Sequence, residues 1–225
     1  AQTDLLKKLK KLGKPIVMVN FSGSAIALNW ESENLNAIVQ AFYPGEKAGT
    51  AIARVLWGDV NPSGRLPVTF YKGVDDLPAF TDYSMAGRTY RYYSGKPLYP
   101  FGHGLSYTSF EYSQLEANFQ ESGIQVSTQI TNTGSRSGDE VVQLYVSFPD
   151  APVATPIRQL AAFQRVHLEP GQSEQIRFQL APEQLTYIDS EGVAQNYKGA
   201  IKITVGSGQP GEGNKQNIST SVTAK

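Results

Sequence analysis

The sequence has 225 residues, of which 40% are hydrophobic and 18% are charged, and its twenty basic residues balance twenty acidic ones. This composition is ordinary for a globular protein and too apolar for a disordered one. The zero net charge excludes a general electrostatic attraction to nucleic acid or to an anionic membrane, so a neutral partner is indicated. Cysteine is absent, which excludes disulfides, thiolate catalysis and cysteine-ligated zinc.

The first predicted element is an amphipathic helix with lysines opposite its apolar face. We expect Thr3 or Asp4 to cap its N-terminus, and Gly13 can close its C-terminus because glycine adopts a left-handed conformation at little cost. The apolar face is formed by Leu5, Leu6, Leu9 and Leu12.

Two short apolar runs, residues 16–19 and 37–42, predict strands that are buried on both faces of a parallel sheet. A helix with apolar residues at helical spacing follows Glu46. This alternation indicates an α/β layer, but two strands are too few for a complete doubly wound domain. We therefore expect a preceding segment to complete the sheet, and a start at Ala1 without Met fits a processed product or a piece of a longer polypeptide.

From about Phe110 the pattern becomes all-β. Short segments with alternating apolar residues recur between turn clusters rich in Gly, Pro, Asn and Asp. About seven such strands without a Cys…Trp…Cys pattern predict a fibronectin type III-like β-sandwich. The clearest strand candidates are residues 124–131, 141–148, 159–168, 174–180 and 200–205.

The chain is thus predicted to contain three parts. Residues 1–70, the α/β segment, form the C-terminal half of an α/β sandwich domain. Residues 71–109, the aromatic loop, form an ordered connection rich in Gly, Pro and Tyr. Residues 110–225 form the β-sandwich.

Six motifs in a fixed order cover nearly the whole chain. They are GKPIVMV (13–19), YPGEKAG (43–49), GDVNPSGRLP (58–67), GRTYRYY (87–93), YPFGHGLSY (99–107) and NTG followed by GDEVVQLY (132–145). Together they closely resemble the C-terminal portion of family 3 glycoside hydrolases of the β-xylosidase and β-glucosidase kind. The GRTYRYY motif leans slightly toward the β-xylosidases. Each motif also has a structural interpretation: residues 61–64 have turn chemistry, and Arg65 can pair with a carboxylate and fix that loop.

The resemblance implies an exo-acting, retaining enzyme that removes terminal β-linked xylose or glucose from oligosaccharides. Such chemistry needs two carboxylates about 5–5.5 Å apart. In the family, the nucleophile is an Asp of an N-terminal (β/α)8 barrel, and the acid/base is a Glu in an earlier part of the α/β sandwich domain. No matching motif occurs here, so we assign no catalytic residue, no cofactor and no metal, and we expect the chain alone to be inactive. The expected partner is the N-terminal catalytic portion, and the expected location is secreted or periplasmic.

Other residues that could carry chemistry have simpler explanations. Asp75, Asp76 and Asp82 fit a solvated acidic turn. His103 lies between glycines and fits a structural role, as does His167 in a predicted strand. These two histidines have no neighbouring carboxylates at ligand spacing and do not predict a metal site.

The aromatic loop has two interpretations. Its rings can pack between domains, which we favour, or contribute to a sugar-binding rim, where Arg88 and Arg91 could reach hydroxyl groups. The rings are Phe80, Tyr83, Tyr90, Tyr92, Tyr93, Tyr99, Phe101 and Tyr107.

Two alternatives to an enzyme portion remain. One is a stand-alone carbohydrate-binding or interaction module, and the other is a structural chain in a larger assembly. The incomplete α/β layer argues against a free module, since that would leave a sheet edge and an apolar helix face exposed.

Overall fold

A computed structural model describes residues 1–211 and 216–224. Its first part contains a two-stranded parallel sheet, in which Val17 lies opposite Ala37 and Asn20 opposite Gln40. The prediction of two strands and intervening helices in this part is confirmed. The elements are α1 (Gln2–Lys10), β1 (Val17–Asn20), α2 (Asn29–Asn34), β2 (Ala37–Gln40) and α3 (Ala48–Trp57).

The start of α1 differs from the prediction. The N-cap is Ala1, without a side-chain hydrogen bond, and Thr3 and Asp4 lie inside the first turn. The Thr3 hydroxyl instead donates to Glu31 Oε1 in α2 at 2.7 Å. The side chain that the sequence predicted as an N-cap is therefore used in a tertiary hydrogen bond. The helix ends at Lys10, and Gly13 follows with φ 69°.

The small sheet is not buried on both faces as predicted. Residues of β1 and β2 are half-buried or exposed, and Val17 is 49% exposed. Within the described residues no third strand pairs with these two. Neither α1 nor α3 has a buried residue, so residues 1–70 do not form a closed, covered sheet.

The second part is a sandwich of a four-stranded and a three-stranded sheet, so the predicted fold class is confirmed. The strand orders are β11-β10-β5-β6 and β3-β4-β7, with antiparallel neighbours throughout. A separate hairpin, β8 with β9, lies beside them. The strands are β3 (Phe110–Gln120), β4 (Gly123–Asn132), β5 (Gly138–Ser147), β6 (Gln159–Leu168), β7 (Ser173–Leu180), β8 (Thr186–Ile188), β9 (Ala194–Asn196), β10 (Gly199–Gly206) and β11 (Ile218–Ala224).

The core of the described chain lies between these two sheets. Alternate residues of β7 and β10, such as Ile176, Leu180, Ile201 and Ile203, are almost fully buried, because a pleated strand directs every second side chain to the same face. Every member of the buried apolar cluster belongs to residues 110–224.

The aromatic loop contains little regular structure but folds back along the end of the α/β segment. A 3-10 turn spans Val74–Asp76, and a short helix, α4, spans Thr89–Tyr92. Phe70 and Tyr99 form an isolated antiparallel bridge, and Leu66 N–H donates to the carbonyl of His103 at 2.8 Å. The segment boundaries at residues 70 and 109 stay predictions.

Candidate functional site

A buried ion pair joins the two parts of the chain. Arg65, from the turn after α3, donates through Nη2 to both carboxylate oxygens of Glu140 on β5, at 2.8 and 2.7 Å. The two side chains are only 7% and 2% exposed. The prediction that Arg65 pairs with a carboxylate is confirmed. Gly104 packs against the same turn, since a Cβ there would lie 2.1 Å from the carbonyl oxygen of Gly64.

The surroundings of Glu140 combine desolvation with several donors. Burial raises the pKa of the Glu140 carboxyl, while the nearby charge of Arg65 and hydrogen bonds oppose that rise. One of these bonds comes from the N–H of Val141, at 3.0 Å from Oε1. Burial also raises the pKa of Tyr112 beside this carboxyl well above its ordinary value. The charges are therefore compensated inside the protein, and removal of either partner would leave the other unpaired.

Asn61 is a second connection between the two parts. Its Nδ2 donates to the carbonyl of Ser137, at 3.0 Å, and its Oδ1 accepts from Ser106 Oγ and the N–H of Tyr107, at 2.9 and 2.7 Å. A Cβ at Gly138 would lie 2.5 Å from Asn61 Nδ2, so this approach depends on glycine. The structural interpretation of the 58–67 motif follows from these contacts.

Part of the aromatic loop packs against the outer face of the sheet that contains β5. Tyr90 stacks on Phe101 with ring centroids 4.1 Å apart and meets Tyr145 of β5 edge to face at 6.3 Å. The N–H of Leu160 on β6 donates to the Tyr90 hydroxyl at 3.2 Å. For Tyr90, the interpretation as interdomain packing is confirmed, whereas Phe101 packs on Tyr90 within the loop.

The two arginines of the loop bond to the protein itself. Arg91 Nη2 donates to Gln159 Oε1 at 2.9 Å, which ties α4 to the start of β6. Arg88 Nη2 donates to the carbonyls of Ala79 and Asp82 at 2.9 and 2.7 Å. Both guanidinium groups therefore organise the loop. Phe80 and Tyr83 differ from the packed rings, since they are 92% and 90% exposed.

The three aspartates of the aromatic loop lie in or next to turns. Asp76 Oδ2 accepts from the N–H groups of Lys72 and Gly73, and Asp82 Oδ1 accepts from Ser84 N–H at 2.8 Å. The hydrogen bonds from Ser84 lower the pKa of Asp82. Asp75 is exposed. These features fit the interpretation as a solvated acidic turn.

The two histidines occupy different environments. His103 stacks on Tyr99 with centroids 5.2 Å apart, and burial, with the nearby Arg65 charge, lowers its pKa. His167 is exposed, and the hydrogen bond to Asp139 raises its pKa. Asp139 and Glu169 contact opposite ring nitrogens of His167 and so do not converge on one point. Within residues 1–211 and 216–224, no group of three His, Asp or Glu residues could hold a metal ion.

Models of known families match most of this architecture. The model described as "Glycosyl hydrolase family 3 C-terminal domain" matches residues 1–107, and that of the "Fibronectin type III-like domain" matches residues 140–209. The chain belongs to glycosyl hydrolase family 3. Within that family it comprises the C-terminal domain and the fibronectin type III-like domain, as the order of the six motifs indicates.

Individual family 3 proteins resemble it closely. A xylan 1,4-β-xylosidase of Xylanibacter ruminicola is 46% identical over 84% of this chain, and a periplasmic β-glucosidase of Salmonella typhimurium is 35% identical over 92% of it. The solved structure of a β-glucosidase from Erythrobacter marinus is 41% identical over 99% of the chain, with a TM-score of 0.84.

The chain spans less than a third of each of these relatives: 22% and 29% of the two curated proteins and 30% of the solved chain. It therefore corresponds to a C-terminal segment of longer family 3 enzymes. In the part of the chain that the structure describes, no helix has the length and apolar character to span a bilayer.

Proposed function

We propose that this chain is the C-terminal part of a retaining, exo-acting β-glycosidase that releases terminal β-linked sugars from oligosaccharides. The observation that carries the proposal is that residues 1–107 match the family 3 C-terminal domain, while a β-xylosidase and a β-glucosidase match 84% and 99% of the chain. The role of this part is to supply two strands of an α/β layer and to hold the β-sandwich against it through Arg65, Asn61 and Tyr90.

The proposed partner is the N-terminal catalytic portion of the same enzyme, either covalently attached or as a separate chain. The half-exposed faces of β1 and β2, together with α1 and its exposed leucines, support this partner. Large apolar side chains left in water favour association, because each buried one stabilises a complex by about 1.5–3 kcal/mol. A secreted or periplasmic location is part of the proposal, supported by the name of the Salmonella typhimurium relative.

We further propose a β-xyloside as the preferred substrate. The xylosidase from Xylanibacter ruminicola is more similar to the chain than the periplasmic β-glucosidase is, and the GRTYRYY motif points the same way. A stand-alone binding module is not favoured, since the matched relatives are enzymes that contain this segment as a minor part.

The decisive experiment compares the 225-residue chain with the enzyme encoded by its complete reading frame. We expect the complete enzyme to hydrolyse p-nitrophenyl β-xyloside faster than p-nitrophenyl β-glucoside, and the chain alone to leave both intact. Hydrolysis by the chain alone above a no-enzyme blank would contradict the assignment of the carboxylates to another portion. Faster glucoside hydrolysis by the complete enzyme would overturn only the substrate preference.

A further inference from the structure

His103 lies within the joint between the two parts of the chain. Its carbonyl accepts the N–H of Leu66 at 2.8 Å, and the N–H of Gly102 donates to the carbonyl of Leu66 at the same distance. Leu66 directly follows Arg65, the arginine of the buried ion pair. On the other side, Gln143 Nε2 of β5 donates to the carbonyl of Gly102 at 3.3 Å. The backbone around the histidine is therefore bonded to both parts of the chain.

The two glycines that flank His103 pack closely against these same partners. A Cβ at Gly102 would lie 2.3 Å from Oε1 of Gln143, and a Cβ at Gly104 would lie 3.0 Å from Nη1 of Arg65. Both distances are shorter than ordinary van der Waals contact, or at its lower limit. The histidine is thus held where the joint has no space for a larger neighbour, and a change in its charge acts directly on the joint.

The charges near the imidazole ring are mainly positive. The charge of Arg65 acts on His103, and the ring lines a cavity together with Lys96 and Arg158. Within residues 1–211 and 216–224, no Asp or Glu lines that cavity, and the carboxylate of Glu140 already accepts both of its short bonds from Arg65. The titratable groups of the joint are Arg65, Lys96, Tyr99, Tyr112, Glu140 and Arg158.

The tyrosines of the joint supply no negative charge. Tyr99 stacks on His103 with ring centroids 5.2 Å apart, and Tyr112 lies beside Glu140. Burial raises the pKa of both phenols above the ordinary value, so both are neutral at physiological pH. A protonated His103 would therefore find further cations around it and no unused carboxylate among the described residues.

We propose that protonation of His103 opens the joint between the α/β segment and the β-sandwich. Like charges repel strongly where water is largely excluded, and an unpaired charge inside a protein is destabilising. Histidine is also the side chain whose ordinary pKa places its charge change between pH 5 and 8. The sandwich stays folded in the open form, because His103 is not a member of its buried apolar cluster.

The direction of the pH dependence follows from the two buried groups. Burial and the charge of Arg65 lower the pKa of His103, so its contribution is present above the unfolded pKa of about 6.5 and is lost as the pH falls through its folded pKa. Burial raises the pKa of Glu140, so its contribution is lost as the pH rises and has the opposite sign. Opening in mild acid is therefore an effect of the histidine.

The test is amide hydrogen exchange of the 225-residue chain, followed by NMR at pH 7.5 and 5.5 and corrected for the intrinsic exchange rate at each pH. We expect the protection of the Leu66 and Gly102 amides to fall by up to about tenfold, since each pH unit below about 6.5 can favour the open form by that factor. Amides of the central strand β10 should keep their protection, because the sandwich core stays closed.

Two variants separate His103 from the other titratable groups. His103→Gln is neutral at both pH values, so the ratio of protection at pH 7.5 to that at pH 5.5 should be near one. His167→Gln is the matched control, because His167 is the other histidine of the chain and is exposed. Its ratio should equal that of the unaltered chain. The ratio remains the criterion even where His103→Gln lowers protection at both pH values.

Four results would overturn the proposal. The first is equal protection of Leu66 and Gly102 at the two pH values in the unaltered chain. The second is an unchanged ratio in His103→Gln, since another group would then cause the opening, and the third is a ratio near one in His167→Gln. The fourth is a parallel loss of protection in β10, which would show that acid unfolds the sandwich together with the joint.

Discussion

The α/β segment and the β-sandwich differ in how they hold themselves together. In the sandwich, each long strand contributes side chains to one continuous apolar core. Among residues 1–109, the buried apolar side chains are Leu28 and Phe70 alone, and the parallel pair β1–β2 is half-exposed. Both parts thus have regular secondary structure, but only the sandwich buries enough apolar surface to offset the conformational entropy that the chain loses on folding.

The limits of a sequence family and the limits of a stable folding unit differ in this chain. The family 3 C-terminal model matches residues 1–107, yet those residues lack an interior of their own and contact the sandwich chiefly through polar and aromatic groups. A domain defined by sequence similarity therefore need not be a unit of stability. The sandwich is the part expected to fold by itself.

The strongest test of this comparison separates the two parts. Residues 110–225 as an isolated fragment should unfold in one cooperative thermal transition, because their core is complete. Residues 1–109 should show no cooperative transition by calorimetry. A sharp transition in residues 1–109, or none in residues 110–225, would show that the buried core does not determine which part folds independently.

Breaking the buried ion pair should have the next largest effect. Glu140→Ala leaves Arg65 buried without a counter-charge, and such a loss costs about 3–5 kcal/mol. Urea unfolding of the whole chain measures it. The matched control is Asp139→Ala, the neighbouring residue on β5, whose partners Arg165 and His167 have side chains 63% and 59% exposed. Each of these pairs should contribute at most about 1 kcal/mol because its cation lies in solvent, and a loss as large as that of Glu140→Ala would contradict the special role of burial.

A pair of leucine truncations compares the two parts directly. Leu144→Ala removes a fully buried side chain from the sandwich core and should destabilise the chain by about 2–5 kcal/mol. Leu9→Ala removes a 40% exposed leucine of α1 and should change the stability by no more than about 0.5 kcal/mol. Chemical denaturation of both variants gives the comparison. If Leu9→Ala cost as much as Leu144→Ala, the apolar face of α1 would already be buried within the chain.

The smallest expected effect is the opposite titration of the two histidines. The pKa of His103 is lowered, so its stabilising contribution is present above the unfolded pKa of about 6.5 and is lost as the pH falls through its folded pKa. The pKa of His167 is raised, so its contribution is present below about pH 6.5 and is lost as the pH rises through its folded pKa.

Histidine proton NMR can follow both titrations in one sample. The midpoint of His103 should lie below that of His167, and Asp139→Asn should lower only the midpoint of His167. Coincident midpoints would contradict the difference in burial and charge between the two sites.

The sequence predicted the fold class well because local patterns determine most of it. Alternation in β7 and β10 and the turn clusters between strands located the sandwich. The same alternation did not locate β3, because the positive φ of Gln114 and a register shift between Ser113 and Glu116 interrupt the pattern there. The prediction that Arg65 pairs with a carboxylate was correct, but the sequence did not identify which one. Glu140 is 75 residues away, and no local pattern links the two residues. Likewise, no local pattern separates the exposed rings Phe80 and Tyr83 from the packed ring of Tyr90 in the same loop.

The long separation within the buried ion pair also has a consequence for synthesis on the ribosome. Arg65 leaves the exit tunnel first, and Glu140 follows 75 residues later. β5 then gains its neighbour β10 only after Gly199–Gly206 has been made. At an elongation rate of about 5–20 residues per second, Arg65 therefore spends several seconds in water before its pocket exists. The joint is consequently among the last features of the chain to form, and the α/β segment must wait in solvent, or on an earlier portion of the polypeptide, until the sandwich closes.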